Sequence, residues 1–415
     1  MHRIQSIQSH LTSNQNVISQ PNGKHADDVV ICSAKRTCLS KAKRGPLKDT
    51  MPEVMLARCL EAVLKETKVD PKLVQDLAVG NCLQGGAGAV STRAAQLISG
   101  IPHTSTAVAI NRQCSSGIEA CSMIASKIRS GVIDIGIGGG VESMTNFSMQ
   151  DSVNPEMLSD DLFEHEVARN CLIPMGITAD NIAEKYSQIR KDLDQFAVDS
   201  HKKAALAQKN GLFKEEIVPF MAKVKDANGK VTEVMADKDT GIRADASIEG
   251  FSKLKSAFKK NGWSTAGNSS QVTDGAAAVL MARRSVAMKL GLPILGKFVN
   301  YAVVGVPPEI MGVGPAYAIP QVLKQAGMVL NDVDIFEINE AFASQAKWSV
   351  DELKIPMEKV NPKGGAIALG HPLGCTGARQ VATLMPELKR QGKTWGIISM
   401  CIGTGMGAAA LIKRE

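Results

Sequence analysis

The segment VIDIGIGGGVESM at residues 132–144 recurs in kind as WGIISMCIGTGMGAAALI at residues 395–412, each an apolar strand-like run leading into glycines. What precedes them is also repeated. Upstream of the first copy, strand-like DDVVICSAKRT, DLAVGNCL and STAVAIN alternate with helix-like PEVMLARCLEAVLKET, STRAAQLIS and SSGIEACSMIASKIRSG. Upstream of the second, PAYAIPQVLKQAGM and FASQAKWSVDEL read as helices around the strand DVDIFEINEA, and HPLGCTGARQVATLMPELKRQG reads as a loop and a helix. Strand–helix alternation predicts an α/β fold with helices packed on a buried sheet. Two such halves, about 250 residues apart, predict an internal duplication with a site between the halves.

Residues 144–270 break the alternation and carry more charge. Over 201–260 there are 13 Lys and Arg against 8 Asp and Glu, a net +5 of the chain's +7. A solvated surface explains such a cluster, and so does an anionic ligand bearing phosphates. The segment contains helical stretches such as DLDQFAVDSHKKAALAQKN, so it reads as an inserted loop domain rather than a linker. GAAAVLMARR, following TAGNSSQVTDGAAA at 265–278, reads as helical.

Composition removes several function classes. The moderate positive charge has no long basic block, so nucleic acid is not an expected partner. No run of 18 apolar residues appears, so no membrane span is expected. Nine cysteines without paired spacing and seven scattered histidines predict a reducing compartment and no metal. Residues 1–27 are polar and lack the apolar core of a secretory signal. Within them RIQSIQSHL places Arg3 and Ile4 five residues before His10 and Leu11. This resembles the type 2 peroxisomal targeting signal, which implies a peroxisomal location and an import receptor as partner.

Four residues at turns or element ends could carry chemistry. Cys114, in INRQCSSGIEA, opens a helix, where unpaired N–H groups favour a thiolate; free cysteines are also common packing residues. His371 stands in GGAIALGHPLGCTGAR between Gly370 and Pro372, where a near-neutral imidazole can act as a base. Cys401, in SMCIGTGMGAA, precedes Gly403, Gly405 and Gly407, whose N–H groups could stabilise an oxyanion. A dinucleotide loop is excluded there because no βαβ unit follows. Asn339, in EINEAFASQ, lies at a strand end, where it could hold a water, orient a histidine or cap the next helix.

Taken together NRQCSSG, GGGVESM, PMGITADN, TAGNSSQVTDGAAA, NEAFA, GGAIALGHPLGCTGAR and CIGTGMGAA resemble the thiolases over residues 28–415, nearest to the peroxisomal 3-ketoacyl-CoA group. The resemblance implies a layered αβαβα fold with two duplicated mixed-sheet halves, 28–143 with 271–293 and 294–415, and a loop domain at 144–270. It implies that Cys114 is acylated, that His371 activates it and that Cys401 is the second acid/base. Asn339 would hold a water that forms one oxyanion hole with His371, and the N–H groups of Cys114 and Gly403 would form the other. Ser270, Met175, Ala341 and Phe342 match positions lining the coenzyme A channel, with Arg243 of GIRAD facing the phosphates.

The implied activity is thiolysis of 3-ketoacyl-CoA by CoA in fatty acid β-oxidation, with ping-pong kinetics, a homodimer and no cofactor beyond CoA as substrate. Biosynthetic acetoacetyl-CoA thiolase is the alternative. It is disfavoured by Pro174 before Met175-Gly176, where short-chain biosynthetic enzymes often carry His. GIRADAS also departs from the family's GIRPD-like pattern. A ketoacyl synthase would use two histidines where Asn339 and Cys401 stand. A non-catalytic relative binding CoA or lipid would be expected to lack Cys114, His371 or Cys401.

Overall fold

The computed structural model of the chain describes residues 23–150 and 153–415. The signal read at Arg3, Ile4, His10 and Leu11 lies outside the described residues. From Lys24 onward the chain is tied to the body by ion pairs, Lys24 to Glu415 at 3.2 Å and Asp27 to Arg283 at 2.8 Å.

The first half runs β1 (Val29–Arg36), β2 (Ser40–Lys41), α1 (Pro52–Thr67), β3 (Asp76–Gly80), α2 (Ala89–Ile98), β4 (Thr106–Ile110), α3 (Ser116–Arg129) and β5 (Ile135–Ser143). An inserted segment carries α4 (Met175–Lys185), α5 (Arg190–Lys209) and the hairpin β6 (Phe220–Lys225) and β7 (Val231–Ala236). Strand β8 (Thr273–Arg283) then returns to the sheet. The second half is β9 (Gly296–Gly305), α6 (Gly314–Ala326), β10 (Ile335–Ile338), α7 (Ala343–Glu352), α8 (Thr376–Arg390), β11 (Trp395–Ile402) and β12 (Met406–Arg414).

The strand order is β10-β11-β12-β9-β1-β8-β5-β3-β4, with β2 beside β8. Read outward from the β9–β1 junction, the halves match. β1–β8 and β9–β12 are antiparallel, β8–β5 and β12–β11 antiparallel, and β5–β3 and β11–β10 parallel. The counterpart of the parallel β3–β4 pair is reduced to one bridge, Phe336 to Val360. Among the described residues, the pairs Val30↔Lys297 and Ile31↔Gly296 join the two halves through the sheet.

Helices α3 and α8 lie between the sheet halves. Ile118, Ile124 and Ile128 of α3 share one buried cluster with Val381, Leu384 and Leu388 of α8 and with residues of both sheet halves, such as Val279 and Met400. On the outer faces, α1 packs on the first half and α6 on the second. The result is the layered αβαβα arrangement.

Glycine governs the centre of this packing. A Cβ on Gly117 would lie 2.6 Å from the Gly374 carbonyl oxygen, and one on Gly138 would lie 2.5 Å from Cys121 Cα. Gly138 to Gly140 therefore belong to β5 itself, not to a turn after it as the sequence suggested, because α3 and the loop before α8 lie directly on that strand. GAAAVLMARR is likewise strand β8 rather than helix. Its Gly275-Ala-Ala-Ala repeats as Gly407-Ala-Ala-Ala in β12, the same position in the other half. A buried strand bears no polar stripe, so an alanine run there imitates a helix.

A buried charge cluster ties the insertion to both halves. Arg36 of β1 donates to Glu216 at 2.8 Å and to both oxygens of Asp239 at 2.7 and 2.9 Å. Lys363 and Thr383 Oγ1 of the second half donate to the same Glu216, at 2.5 and 3.0 Å. Arg36, Glu216, Asp239 and Lys363 are all buried. Part of the insertion's charge is thus structural.

Candidate active site

Cys114 sits in a strand–turn–helix after β4. Its predecessor Gln113 has φ +48°, a left-handed value that costs a non-glycine residue about 1 kcal/mol or more. Hydroxyls hold the turn. Ser116 Oγ donates to the Gln113 carbonyl at 2.6 Å and accepts from Arg112 N–H at 2.9 Å, while Ser115 Oγ donates to the Arg112 carbonyl at 3.0 Å. Burial pushes the Cys114 thiol up to about 11, and the N–H groups of Gly403 and of Cys114 itself pull it back only partly. The helix-start position that pointed to this cysteine therefore supplies donors to the sulfur without ionising it.

His371 enters from the other half. It follows Gly370, whose φ of +108° and contact with the Thr273 side chain leave no room for a Cβ. Burial, aided by the charge of Arg379, drives His371 down to about 3, so the imidazole is neutral. Its Nδ1 lies 2.6 Å from Thr376 Oγ1 and its Nε2 lies 3.3 Å from Asn339 Nδ2. Thr376 Oγ1 donates onward to the Pro372 carbonyl at 3.4 Å, so it accepts from Nδ1–H and leaves the Nε2 lone pair toward Asn339. Asn339 is fixed at the end of β10 by its N–H to the Ser399 carbonyl, 2.8 Å. It does not cap α7, whose first turn is closed by Gln345 onto Phe342 N–H at 3.3 Å. Asn339 Oδ1 is buried without a protein partner and is open to a water or substrate atom.

Cys401 is the penultimate residue of β11, buried with Ala179, Met311, Ala341 and Phe342. Cys114 lies in a neighbouring cluster with Cys82, Met144 and Leu373, the last from the His371 loop. Met175 packs on both clusters. Burial, and then the nearby Cys114 sulfur, hold the Cys401 thiol well above its ordinary value. The turn after it keeps Gly403 beside Gln113 and places Thr404 at φ +70°.

The CoA candidates divide. Ser270 N–H donates to the Ala341 carbonyl at 2.9 Å, and Ser269 bridges Phe342, so Ser270, Ala341, Phe342 and Met175 line one side of the Cys401 cluster. Phe258, which sequence reasoning missed, stacks edge-on to Phe342 at 5.8 Å and is half exposed. Arg243 is not gathered into this group. Its N–H donates to His201 Nδ1 at 3.1 Å, and its charge acts on the same imidazole. Thr376 was also missed, although its five-residue spacing from His371 across a glycine-bracketed turn was visible. Among the described residues no group of three or more His, Cys, Asp or Glu could hold a metal ion, and no helix is long and apolar enough to cross a membrane.

Residues 29–285 match the family "Thiolase, N-terminal domain" and residues 292–414 match "Thiolase, C-terminal domain". The chain is 54% identical over 423 residues to rat peroxisomal 3-ketoacyl-CoA thiolase B, covering 100% of this chain and 99% of the relative. It is 56% identical over 389 residues to the human peroxisomal 3-ketoacyl-CoA thiolase, covering 94% and 91%. The crystal structure of the dimeric peroxisomal thiolase of Saccharomyces cerevisiae superposes with a TM-score of 0.87 at 49% identity, covering 95% of this chain and 99% of that one. Human mitochondrial 3-ketoacyl-CoA thiolase in complex with CoA gives 0.84 at 34% identity, covering 95% and 100%. The duplicated halves, the central helix pair and the sequence itself agree: this chain belongs to the thiolase family.

Proposed function

We propose that the chain is a peroxisomal 3-ketoacyl-CoA thiolase that cleaves 3-ketoacyl-CoA with CoA in fatty acid β-oxidation. The observation that carries the reading is the buried contact of His371 Nε2 with Asn339 Nδ2 at 3.3 Å, on a loop whose Leu373 packs in one cluster with Cys114, itself near the Cys401 thiol from the other half.

Cys114 is the nucleophile. Its thiol proton passes to His371 Nε2 as the sulfur attacks the 3-keto carbon, and the N–H groups of Cys114 and Gly403 receive one developing oxyanion. The C2–C3 bond then breaks. The acetyl-CoA enolate is held by His371 and a water on Asn339, and Cys401 protonates its C2, leaving the acyl group on Cys114 as a thioester. CoA next gives its thiol proton to the Cys401 thiolate and attacks that thioester. Acyl-CoA leaves, and the Cys114 sulfur recovers its proton from His371. These steps balance with CoA as a substrate and no other cofactor. Ser270, Met175, Ala341 and Phe342 line the CoA channel, with Arg243 toward the phosphates.

Residues 28–143 with 271–293 and residues 294–415 form the two catalytic halves, and 144–270 the covering loop domain. Pro174 supports degradation over acetoacetyl-CoA synthesis. The assembly is a homodimer, for which edge strand β4, half buried along most of its length, offers a surface. Residues 3–11 are read by an import receptor; their deletion should leave activity intact and send the protein to the cytosol, and unchanged peroxisomal imaging refutes the signal.

The test of the activity is intact-mass spectrometry after mixing with an acyl-CoA donor. Wild-type protein should gain one acyl group and Cys114→Ala none. Undiminished acylation of the variant rejects Cys114 as nucleophile.

A further inference from the structure

The duplication creates a second copy of the catalytic niche. Cys401 faces Gly407 across β11–β12 as Glu142 faces Gly275 across β5–β8. Asn339 follows the residue paired with Ser399, and Asn81 follows the residue paired with Gly140, two positions before Cys401 and Glu142 respectively. CSSG at 114–117 corresponds to GCTG at 374–377, where Gly117 and Gly377 each press on the other helix, so Gly374 stands where Cys114 does. The mirror of Cys114, Asn339 and Cys401 is therefore Gly374, Asn81 and Glu142.

This second niche is plugged. Glu142 is fully buried. Its Oε2 accepts from Cys82 N–H at 2.9 Å and from Gly374 N–H at 3.0 Å. Its Oε1 accepts from Asn81 Nδ2 at 3.0 Å and from Leu83 N–H at 3.3 Å. The chain's own carboxylate thus occupies the place that an oxyanion takes beside Cys114. Four N–H donors on two oxygens suit an ionised carboxylate. One of them belongs to the loop carrying His371, and Cys82 shares a cluster with Cys114.

We propose that Glu142 is a positioning residue for the thiolase reaction: by filling the mirror niche it fastens the His371 loop to the Cys114 half and sets the approach of imidazole to thiol. This rests on the activity proposed above.

Glu142→Gln keeps the volume but turns an NH2 group toward N–H donors, so the Gly374 tether is lost or weakened. In the full-length enzyme kcat should fall about 10- to 100-fold, the range in which small misplacements of a catalytic group register. KM for CoA should stay within about twofold, since no CoA candidate touches Glu142. Amide exchange of the 370–375 segment should quicken while that of β8 holds. Wild-type kcat and wild-type exchange in a folded Glu142→Gln enzyme overturn the proposal. If that variant does not accumulate as folded protein, Asn81→Ala removes one of the four donors to Glu142, along with the Asn81 bonds to the Val141 carbonyl and Gln84 N–H; a smaller kcat loss in the same direction supports the proposal, and an unchanged kcat overturns it. Acylation of wild-type Cys114 is measured alongside. Its absence brings down the activity and this inference together, whereas normal acylation with an indifferent Glu142→Gln brings down only the inference.

Discussion

Thr376→Val tests how the base is held. Valine keeps the shape of threonine but cannot accept the hydrogen bond from His371 Nδ1, which now spans 2.6 Å. Both residues are buried, so no water replaces the hydroxyl. Keeping Nδ1–H then means burying an unpaired donor, at about 1–3 kcal/mol. The ring has a cheaper answer: move the proton to Nε2, where Asn339 can turn its unpartnered Oδ1 to receive it. That tautomer has no lone pair left on Nε2, the atom proposed to take the thiol proton, and cannot act as base there. At about 1.36 kcal/mol per decade, the cost of restoring the active tautomer predicts a kcat lower by roughly 5- to 150-fold. Steady-state thiolysis should show the loss in kcat, with little change in KM for CoA. Thr376→Ser, which restores the hydroxyl, should recover most of the rate. A folded Thr376→Val enzyme with wild-type kcat refutes the tautomer argument.

Cys401→Ala should still be acylated by an acyl-CoA donor but should lose turnover by about 10²- to 10⁴-fold, the usual weight of a general acid/base; wild-type turnover rules out the role. Glu216→Gln leaves Arg36 and Lys363 buried with one carboxylate fewer, so urea denaturation should show about 3–5 kcal/mol less stability, and an unchanged midpoint contradicts the clamp. His371 and His201 are held down to about 3 and about 4, chiefly by burial. Their contribution is present above the ordinary histidine value of about 6.5 and is lost as pH falls from there toward about 4 and then about 3. Glu337, raised to about 8 by burial, pulls the other way over the same range, so the comparison is with His201→Gln: the wild-type urea midpoint should fall further between pH 7 and pH 5 than that of the variant, and equal falls would count against a buried neutral His201.

Local pattern made much of this fold legible. PEVMLARCLEAVLKET reads as a helix and is one over those same residues, because its apolar positions recur every three to four and Lys68 ends it in a left-handed conformation. Cys114, His371 and Cys401 could be singled out because each stands next to a turn or element end that glycine makes conspicuous, and Asn339 because it closes the apolar strand DVDIFEI. Strand β8 was hidden because alanines buried on both faces carry no period of two. Glu142 was hidden because GGGVESM looks like a turn, whereas its glycines are strand residues thinned for α3. The Arg36–Glu216–Lys363 cluster joins residues 180 and 147 positions apart, beyond any local pattern. Arg243 was picked out by its basic charge in GIRAD; its backbone N–H and its charge both meet His201, a partner 42 positions away that no local pattern reveals.

The two resting pKa directions constrain the chemistry together. A thiol raised to about 11 and an imidazole lowered to about 3 rest neutral, not as a preformed thiolate–imidazolium. Burial is the main cause for both; the Glu142 carboxyl in the mirror niche, itself pushed up by burial and held by four donors, raises the thiol further, and Arg379 lowers the imidazole further. On the proposed mechanism, charge separation between Cys114 and His371 has to be stabilised by what the substrate brings: a carbonyl oxygen that takes on charge as the sulfur loses it, set against the N–H groups of Cys114 and Gly403. Attack and proton transfer are thereby linked, since neither ion is favourable without the oxyanion. A duplicated fold suits this arrangement, because the same pair of helix starts and strand ends yields one niche filled by the protein's own carboxylate and one left for the substrate's oxygen.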